Sequence, residues 1–158
     1  MKPTEEFLNY LMDEAIEEAV QSELAGEVPI GAVVAVGDSI ISRAHNLTES
    51  TPDSTSHAEV LAIREASKKV KNWRLDDAIL VVTLEPCSMC AGAIKLARIP
   101  IVVYGSLDPK AGAMGSIYDL TADSRTGPAP RVIAGVREEQ CTRMLKEFFL
   151  RRRRENKG

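Results

Sequence analysis

The sequence contains no run of about 18 consecutive apolar residues, so we expect no membrane-spanning segment. Aromatic residues make up only 4% of the 158 residues, although 44% are apolar, which is enough for the core of a single domain over residues 1–158. The first residues include Glu5 and Glu6 and no basic segment ahead of an apolar block, so we expect no secretory signal. Only three cysteines occur, and two form a Cys-x-x-Cys motif, which favours a reducing, cytoplasmic location over a disulfide framework.

Charge is unevenly distributed along the chain. The net charge of −3 by itself argues against a general nucleic-acid binder. Residues 1–27 contain eight acidic side chains and one lysine, whereas residues 137–158 contain eight basic and four acidic side chains. The basic residues include an uninterrupted run over 151–154. The simplest interpretation of this run is a solvated helix end, where cations also suit the helix dipole.

Apolar periodicity and turn residues predict four helices and five strands. The predicted helices run from an N-cap at Thr4 to a stop at Gly26, from Ser56 onward, from Pro86 to about Ala97, and from about Arg137 to the end. The predicted strands are 30–36 and 39–44, which form a hairpin, then 78–84, 101–104 and 131–134. Residues 45–55 and 107–115 are predicted loops, and 116–130 is weakly patterned. Because 78–84 is apolar on both faces, we expect it at the centre of a mixed five-stranded sheet between two helix layers, an α/β/α fold.

His57, Glu59, Cys87 and Cys90 form the most informative pattern in the chain. One histidine and two cysteines can hold a zinc ion while leaving a fourth position open for water, as catalytic zinc sites do. Glu59 lies two residues after the histidine, where its carboxylate can carry protons without being a ligand. Because both motifs fall at predicted helix starts, we expect the helix N-termini to lower both thiol pKa values and to disfavour protonated His57.

Each part of this pattern also has a simpler explanation. Ser56 and Glu59 fit a capping box, with Ser56 as the N-cap. The Cys-x-x-Cys motif alone fits a redox pair or half of a structural zinc site. Cys141 could complete a closed site with three cysteines and one histidine, although it lies on the apolar face of the last helix, where a buried cysteine is usually part of the core. The joint pattern is much more specific than its parts and favours a catalytic zinc site.

The pattern His-x-Glu followed by Pro-Cys-x-x-Cys resembles the zinc-dependent nucleobase deaminases of the cytidine/deoxycytidylate deaminase superfamily. Within it, the chain is most similar to the tRNA-specific adenosine deaminase family of bacteria over nearly its whole length. The segments that carry this similarity are 28–32, 45–46, 83–93, 108–112 and 148–154. The resemblance implies a cytidine-deaminase-like fold, one Zn²⁺ per chain held by His57, Cys87 and Cys90, and Glu59 as the general acid/base.

The resemblance also implies a substrate and its contacts. The substrate would be an adenosine at the wobble position of a tRNA anticodon loop, with an arginine tRNA expected, converted to inosine by zinc-activated water. Asn46 would hydrogen-bond the flipped base, and Val28 and Pro29 would wall its pocket. The flanking nucleotides would contact Asp108, Lys110, Phe149 and Arg152 or Arg153. A homodimer is implied as well.

Two other functions remain open from the sequence. The same chemistry could act on a free base or nucleoside such as guanine or cytosine, because the cysteine motif is shared with such enzymes. The zinc could instead be structural in a non-catalytic RNA-binding subunit, although such a site has no use for Glu59. The chain also departs from the family, which often has Asn-His-Arg before its last strand, where residues 128–131 here read Pro-Ala-Pro-Arg.

Overall fold

The structure is a computed structural model that describes residues 2–156. These residues form four α-helices: α1 (Glu5–Leu24), α2 (Ala58–Val70), α3 (Ser88–Ala97) and α4 (Glu138–Asn156). The five strands are β1 (Gly31–Val36), β2 (Ser39–His45), β3 (Ala78–Leu84), β4 (Ile101–Ser106) and β5 (Arg131–Ala134). A 3₁₀ turn covers Ser124–Thr126. Within this described part, no helix combines the length and apolar character that crossing a bilayer requires.

The five strands form one mixed sheet in the order β2-β1-β3-β4-β5. β1 is antiparallel to both β2 and β3, whereas β3, β4 and β5 are parallel to one another. The predicted central position of β3 is confirmed. Because β1 runs opposite to its neighbours, its first residue lies at the same edge as the last residues of β2, β3 and β4. This edge carries the candidate site.

Helices cover both faces of the sheet, which confirms the predicted three-layer arrangement. Alternate residues of β3 point to opposite faces, as the period of a strand requires. Leu80 and Val82 belong to the core cluster that contains the buried alanines of α2 and α3. Ile79 and Val81 belong to a second cluster, which contains the apolar face of α1 and one side of α4.

Gly31 allows α1 to pack unusually close to the start of β1. A Cβ at this position would collide with the Ala15 carbonyl and lie 2.6 Å from the Ala19 nitrogen. Only glycine permits this approach. The close packing places the C-terminal half of α1 beside the edge of the sheet that carries the site.

Both α2 and α3 start later in the structure than the sequence predicts. α2 begins at Ala58, with His57 rather than Ser56 at the N-cap, and α3 begins at Ser88, with Cys87 at the N-cap rather than a start at Pro86. His57 has an extended backbone, and neither N-cap side chain makes a capping hydrogen bond. The capping-box interpretation is therefore wrong.

Lys95 holds the segment that directly precedes residues 128–131, where the chain departs from the family pattern. Its ammonium group donates to the carbonyl oxygens of Thr121 (2.9 Å), Asp123 (3.1 Å) and Gly127 (2.8 Å). Lys95 is 7% exposed, and it is the one charged side chain among the buried residues of α3. An ammonium has three donors and no acceptor, so three carbonyls satisfy it completely. Residues 121–127 are therefore fixed to α3 by one side chain.

Candidate metal centre

Backbone contacts bring the predicted site segments together at one edge of the sheet. The Gly31 N–H donates to the Thr83 hydroxyl at 3.1 Å, which joins the start of β1 to the end of β3. The Leu47 N–H donates to the Ser56 carbonyl at 3.0 Å, which joins the segment after β2 to the residue before His57. The segments around 30, 46, 57 and 84 are therefore neighbours in space.

The side chains of His57, Cys87 and Cys90 form a group with the geometry of a zinc site. Their ligand atoms all lie within 4.8 Å of one another. His57 Nδ1 is 3.6 Å from Cys87 Sγ and 3.6 Å from Cys90 Sγ. In a tetrahedral site with bonds of about 2.0–2.1 Å to nitrogen and about 2.3 Å to sulfur, the nitrogen and sulfur ligands lie roughly 3.6 Å apart. The three side chains therefore fit zinc, and they provide only three of its four ligands.

The fold explains why these side chains meet. His57 and Cys87 occupy the N-cap positions of α2 and α3, which lie side by side on the same face of the sheet. Cys90 follows one turn into α3, so both sulfurs lie at the same end of that helix. Because neither N-cap side chain is used for capping, both are available as ligands.

Cys141 does not belong to this group. It is buried in the core cluster on the opposite face of the sheet, with α1 and β4. Within the described residues, the possible metal-binding group is limited to His57, Cys87 and Cys90. The closed site with Cys141 as fourth ligand is therefore wrong, and the core interpretation of Cys141 is confirmed.

Glu59 lies in the first turn of α2 and is only 4% exposed. Burial raises the pKa of its carboxyl group to about 7, because desolvation outweighs the attraction to His57. The carboxyl is close enough to Cys90 for a hydrogen bond with its thiol. A buried carboxyl beside an open metal position can exchange protons there without being a ligand.

The expected lowering of both thiol pKa values is only half correct. The pKa of Cys87 falls to about 3, because its sulfur accepts a hydrogen bond from the Cys90 thiol and another from His57. The pKa of Cys90 is raised, because its thiol donates to Cys87 and is buried. The pKa of His57 is also raised, chiefly by its hydrogen bond with Cys87, contrary to the expectation from the helix N-terminus. The prediction considered only the effect of each helix N-terminus on the thiol pKa values. It left out that two adjacent sulfurs share one proton.

Asn46, Val28 and Pro29 lie together at the same edge of the sheet. The Ser22 hydroxyl donates to the Val28 carbonyl at 2.8 Å and to the Asn46 carbonyl at 3.1 Å. The Asn46 N–H donates to the carbonyl of Ile30, next to Pro29. Asn46 is buried, and its amide makes a long contact of 3.4 Å with the Thr48 hydroxyl. The structure thus brings the predicted pocket residues into one group.

The segment after β4 forms a tight turn around Asp108. One carboxylate oxygen accepts from the Lys110 N–H at 3.0 Å and from the Ala111 N–H at 3.2 Å. The Lys110 side chain is exposed. Asp108 therefore shapes its own loop, whichever further contacts it makes.

The basic end of α4 is partly used within the chain. Arg151 forms an ion pair with Glu23. Arg152 donates to the carbonyl of Gly26 and stacks on the ring of Phe148, with its guanidinium carbon 4.9 Å from the ring centre. These contacts dock the end of α4 beside the segment that leads into Val28 and Pro29.

Phe149 and Arg153 have a different environment from their neighbours. Phe148 is buried, whereas Phe149 is 48% exposed and meets it edge to face. Among residues 2–156, no ion pair or hydrogen bond is found for the Arg153 side chain. These two side chains, with Lys110, are available to an external partner.

Two functional-site neighbours were missed by the sequence prediction, namely Glu27 and Glu85. Both are fully or almost fully buried, and both accept hydrogen bonds from loop backbone. The sequence feature that could have identified them is their position at the end of a predicted element. Glu27 directly follows the helix stop at Gly26, and Glu85 directly follows the central strand. A lone acidic residue at such a place is usually exposed, so the signal is weak.

The chain is similar over most of its length to proteins of described activity. A tRNA-specific adenosine deaminase of Bacillus subtilis (strain 168) is 49% identical over 147 residues, which are 93% of this chain and 91% of that protein. A solved structure from work on A-to-I editing by tRNA:A34 deaminases at the wobble position of transfer RNA is 40% identical, with a TM-score of 0.83 over 86% of this chain and 99% of that one. A guanine deaminase from Bacillus subtilis is 39% identical, with a TM-score of 0.59 over 67% of this chain and 66% of that one.

The family model of the cytidine and deoxycytidylate deaminase zinc-binding region matches residues 5–106. This range includes α1 to β4 and both halves of the candidate zinc site. The resemblance inferred from the sequence is confirmed by this match and by the relatives. With three side chains spaced for zinc and a buried glutamate beside them, this chain belongs to the cytidine and deoxycytidylate deaminase family.

Proposed function

We propose that the protein converts adenosine to inosine at the wobble position of a tRNA anticodon loop. The reaction consumes one water and releases one ammonia. The observation that carries the chemistry is the His57–Cys87–Cys90 group, spaced for a three-ligand zinc site, with buried Glu59 beside it. The choice of substrate is supported by the tRNA-specific relative that is 49% identical over 93% of this chain.

Each residue of the centre has a defined role in this proposal. His57, Cys87 and Cys90 would hold the ion and leave a fourth position open. When bound, zinc acts as a Lewis acid that makes water a nucleophile near neutral pH. The Glu59 carboxylate takes a proton from the attacking water and delivers one to the amino group, which leaves as ammonia.

The substrate contacts are proposed from the resemblance and from the positions of the side chains. Asn46 would hydrogen-bond the flipped base between the walls formed by Val28 and Pro29. Asp108, Lys110, Phe149, Arg152 and Arg153 would face the flanking nucleotides. An exposed aromatic ring next to guanidinium groups suits unpaired RNA, because bases stack and phosphates pair with cations. Arg152 already contacts Gly26, so its role would include holding the end of α4 beside the pocket wall.

Glu59→Gln tests the catalytic assignment. We expect the zinc content to stay near one per chain, because Glu59 is not part of the ligand group. The rate of inosine formation in an arginine-tRNA anticodon stem-loop, measured by mass spectrometry, should fall by about 10²–10⁴-fold, the usual contribution of a general acid/base. Glu65→Gln is the matched control, since Glu65 lies on the same helix with an exposed side chain. Loss of zinc in Glu59→Gln, or retained activity, would refute the assignment.

A free-base deaminase is the second candidate, favoured by the 39% identity to a guanine deaminase. That similarity covers only 67% of this chain, whereas the tRNA-specific relative matches 93% of it. A panel of guanine, cytosine and adenosine, run beside the stem-loop, separates the two. Turnover of guanine without activity on RNA would overturn the proposal.

The basic end of α4 provides a test of RNA binding that does not depend on turnover. Arg153→Ala should weaken binding of the stem-loop and reduce the slope of log affinity against log salt by about 0.7 for a lost single-strand phosphate contact. Arg125→Ala is the control, because Arg125 is exposed but paired with Asp123 and is not among the proposed RNA contacts. An unchanged salt slope for Arg153→Ala would remove this residue from the RNA contact surface.

The partners and location proposed are an arginine tRNA, a second copy of this chain and the cytoplasm. Reduced thiol ligands and a tRNA substrate both suit that compartment. A homodimer is supported by large apolar side chains left exposed on the chain, including Leu96 at 74%, Ile117 and Leu120. Light scattering of the zinc-loaded protein should give twice the chain mass of 17.2 kDa. A value near the chain mass would refute the dimer.

A further inference from the structure

Glu85 is a buried carboxylate that the proposed chemistry does not use. It directly follows β3, lies two residues before Cys87 and is 2% exposed. Around it runs the segment 107–116, here called the recognition loop, which includes two of the proposed nucleotide contacts, Asp108 and Lys110. We propose that Glu85 is a positioning residue that holds the recognition loop in the shape that meets the nucleotides flanking the target base. This inference rests on the proposed function.

The carboxylate is surrounded by donors from both ends of the recognition loop. One oxygen accepts from the Asp108 N–H at 3.1 Å and from the Ser116 hydroxyl. The other accepts from the Met114 N–H at 3.1 Å and from the Ser116 N–H at 3.0 Å. A carboxylate has two oxygens that accept and no donor, so it satisfies four inward-pointing donors at once. The loop is closed on one side chain.

The same segment is also tied to the backbone that carries the zinc ligand. The Glu85 N–H donates to the Ser106 carbonyl at 2.9 Å, and the Ala113 N–H donates to the Pro86 carbonyl at 2.9 Å. The strand that leads to Cys87 therefore forms the centre around which the recognition loop is wrapped. Shifting the loop relative to Cys87 requires breaking these bonds.

Gly112 shows how tightly the loop closes on the carboxylate. A Cβ at Gly112 would collide with the Glu85 carboxyl group and lie 2.6 Å from the Asp108 carbonyl oxygen. The Gly112 N–H donates to that same carbonyl at 2.9 Å. Glu85 therefore acts from inside the loop, and Asp108 and Lys110 lie on the turn that this carboxylate fixes.

This arrangement predicts that Glu85 affects RNA binding more than the chemical step. Glu85 contacts loop backbone and is absent from the metal-ligand group. Replacing it by glutamine puts an NH₂ group where two donors already point, so part of the loop must move. Contacts to flanking nucleotides are then lost, while His57, Glu59 and the two cysteines remain in place.

The test compares Glu85→Gln with Ser116→Ala and with Val103→Ala, all as zinc-loaded protein. Ser116→Ala removes one of the four donors and leaves the carboxylate in place. Val103→Ala is the control for lost stability, because Val103 is buried in the core on the α1 side of the sheet, away from the loop. The measurements are zinc content, kcat and KM on the anticodon stem-loop, stem-loop Kd, and amide exchange at residues 108, 114 and 116.

For Glu85→Gln we expect unchanged zinc, a KM and Kd raised by about tenfold or more, and a kcat within about threefold of the parent. Amide exchange at 108, 114 and 116 should accelerate by more than about tenfold, because these N–H groups lose their acceptor. Ser116→Ala should show smaller increases in KM, Kd and amide exchange. If Glu85→Gln does not fold, the results for Ser116→Ala test the proposal in its place. Val103→Ala should lower stability without raising KM.

Two results would overturn the proposal. One is a Kd and KM for Glu85→Gln equal to those of Val103→Ala, which would make Glu85 merely structural. The other is loss of zinc or a fall in kcat alone, which would place Glu85 in the metal centre. If the proposed function is wrong, the parent protein itself will neither bind nor deaminate the stem-loop. Amide exchange would still show in that case whether Glu85 holds the recognition loop.

Discussion

Replacing Glu27 by glutamine should destabilise the protein strongly, although Glu27 takes no part in the proposed chemistry. Its side chain is 0% exposed, and Glu27 directly precedes Val28, the proposed wall of the base pocket. The carboxylate accepts from the Glu49 N–H at 3.1 Å, from the Ser50 N–H at 2.6 Å and from the Ser50 hydroxyl. One buried side chain thus joins the end of α1 to the loop that leads to His57.

The size of the effect follows from these three bonds. Glutamine keeps one accepting oxygen, which can stay with Ser50, and turns its NH₂ group toward the Glu49 N–H. A hydrogen bond to a charged group contributes about 1.5–3 kcal/mol, and a buried donor left unpaired costs about 1–3 kcal/mol. We therefore expect a loss of roughly 2–4 kcal/mol in the free energy of unfolding at pH 7. For a chain of this length, that lowers Tm by roughly 5–15 °C.

The decrease in the free energy of unfolding caused by Glu27→Gln should disappear in acid. The hydrogen bonds from Ser50 and Glu49 hold the pKa of Glu27 below its usual value, despite the opposing effect of burial. A carboxyl with a lowered folded-state pKa adds stability above its unfolded pKa, and this contribution is lost as the pH falls through the folded value. The difference between parent and Glu27→Gln should be constant from neutral pH to about 5 and then shrink below about 4.5.

The assay is urea unfolding of the parent, Glu27→Gln and Glu65→Gln at a series of pH values from 7 to 3.5. Only differences between variants at the same pH are compared, because loss of zinc in acid affects all three equally. Glu65→Gln should differ little from the parent, since its side chain is exposed on α2. A Glu27→Gln difference below about 1 kcal/mol at pH 7, or one that stays constant into acid, would refute the reasoning.

Three further substitutions have expected outcomes. Gly31→Ala should lower the denaturant midpoint by an amount equivalent to about 1–3 kcal/mol or more, because its Cβ collides with α1, and an unchanged midpoint would contradict that close packing. Cys141→Ala should keep one zinc per chain, measured by plasma mass spectrometry, and loss of the metal would restore Cys141 as a ligand. Lys95→Met should leave three carbonyls without a donor and accelerate amide exchange over 121–127, whereas unchanged exchange would show that other contacts hold this segment.

The fold was predictable because its elements follow simple periods. The apolar run over 78–84 fills both faces of the sheet, and this is the central strand β3. The zinc ligands were predictable because histidine and cysteine at that spacing have few other joint uses. The pairing of His57 with Cys87 follows from α2 and α3 lying on the same face of the sheet, so their first residues meet at one edge.

The start of α2 was mispredicted because a local motif competed with a tertiary contact. Ser56 and Glu59 match a capping box, but the Ser56 carbonyl accepts from the Leu47 N–H and its hydroxyl accepts from Thr51. These contacts hold Ser56 in the loop and place His57 at the N-cap, with its ring toward the thiols. Local sequence cannot report a partner nine residues away in an irregular loop.

The two buried carboxylates and the docked arginines were missed for the same reason. Glu85 and Glu27 accept from backbone N–H groups 22 to 31 residues away, and backbone donors have no sequence signature. Arg152 reaches the carbonyl of Gly26, 126 residues earlier. A run of four arginines predicts a basic surface, but it does not show which of these side chains already form contacts within the chain.

The structure separates the parts that fix the chemistry from the parts that face the substrate. The zinc ligands sit at the starts of helices whose positions are set by the core, so they tolerate little movement. Every proposed base or nucleotide contact lies instead on an irregular segment or at the end of α4, and two of these segments are held by single buried carboxylates, Glu27 and Glu85. Changes in these segments can therefore alter the substrate without disturbing the metal.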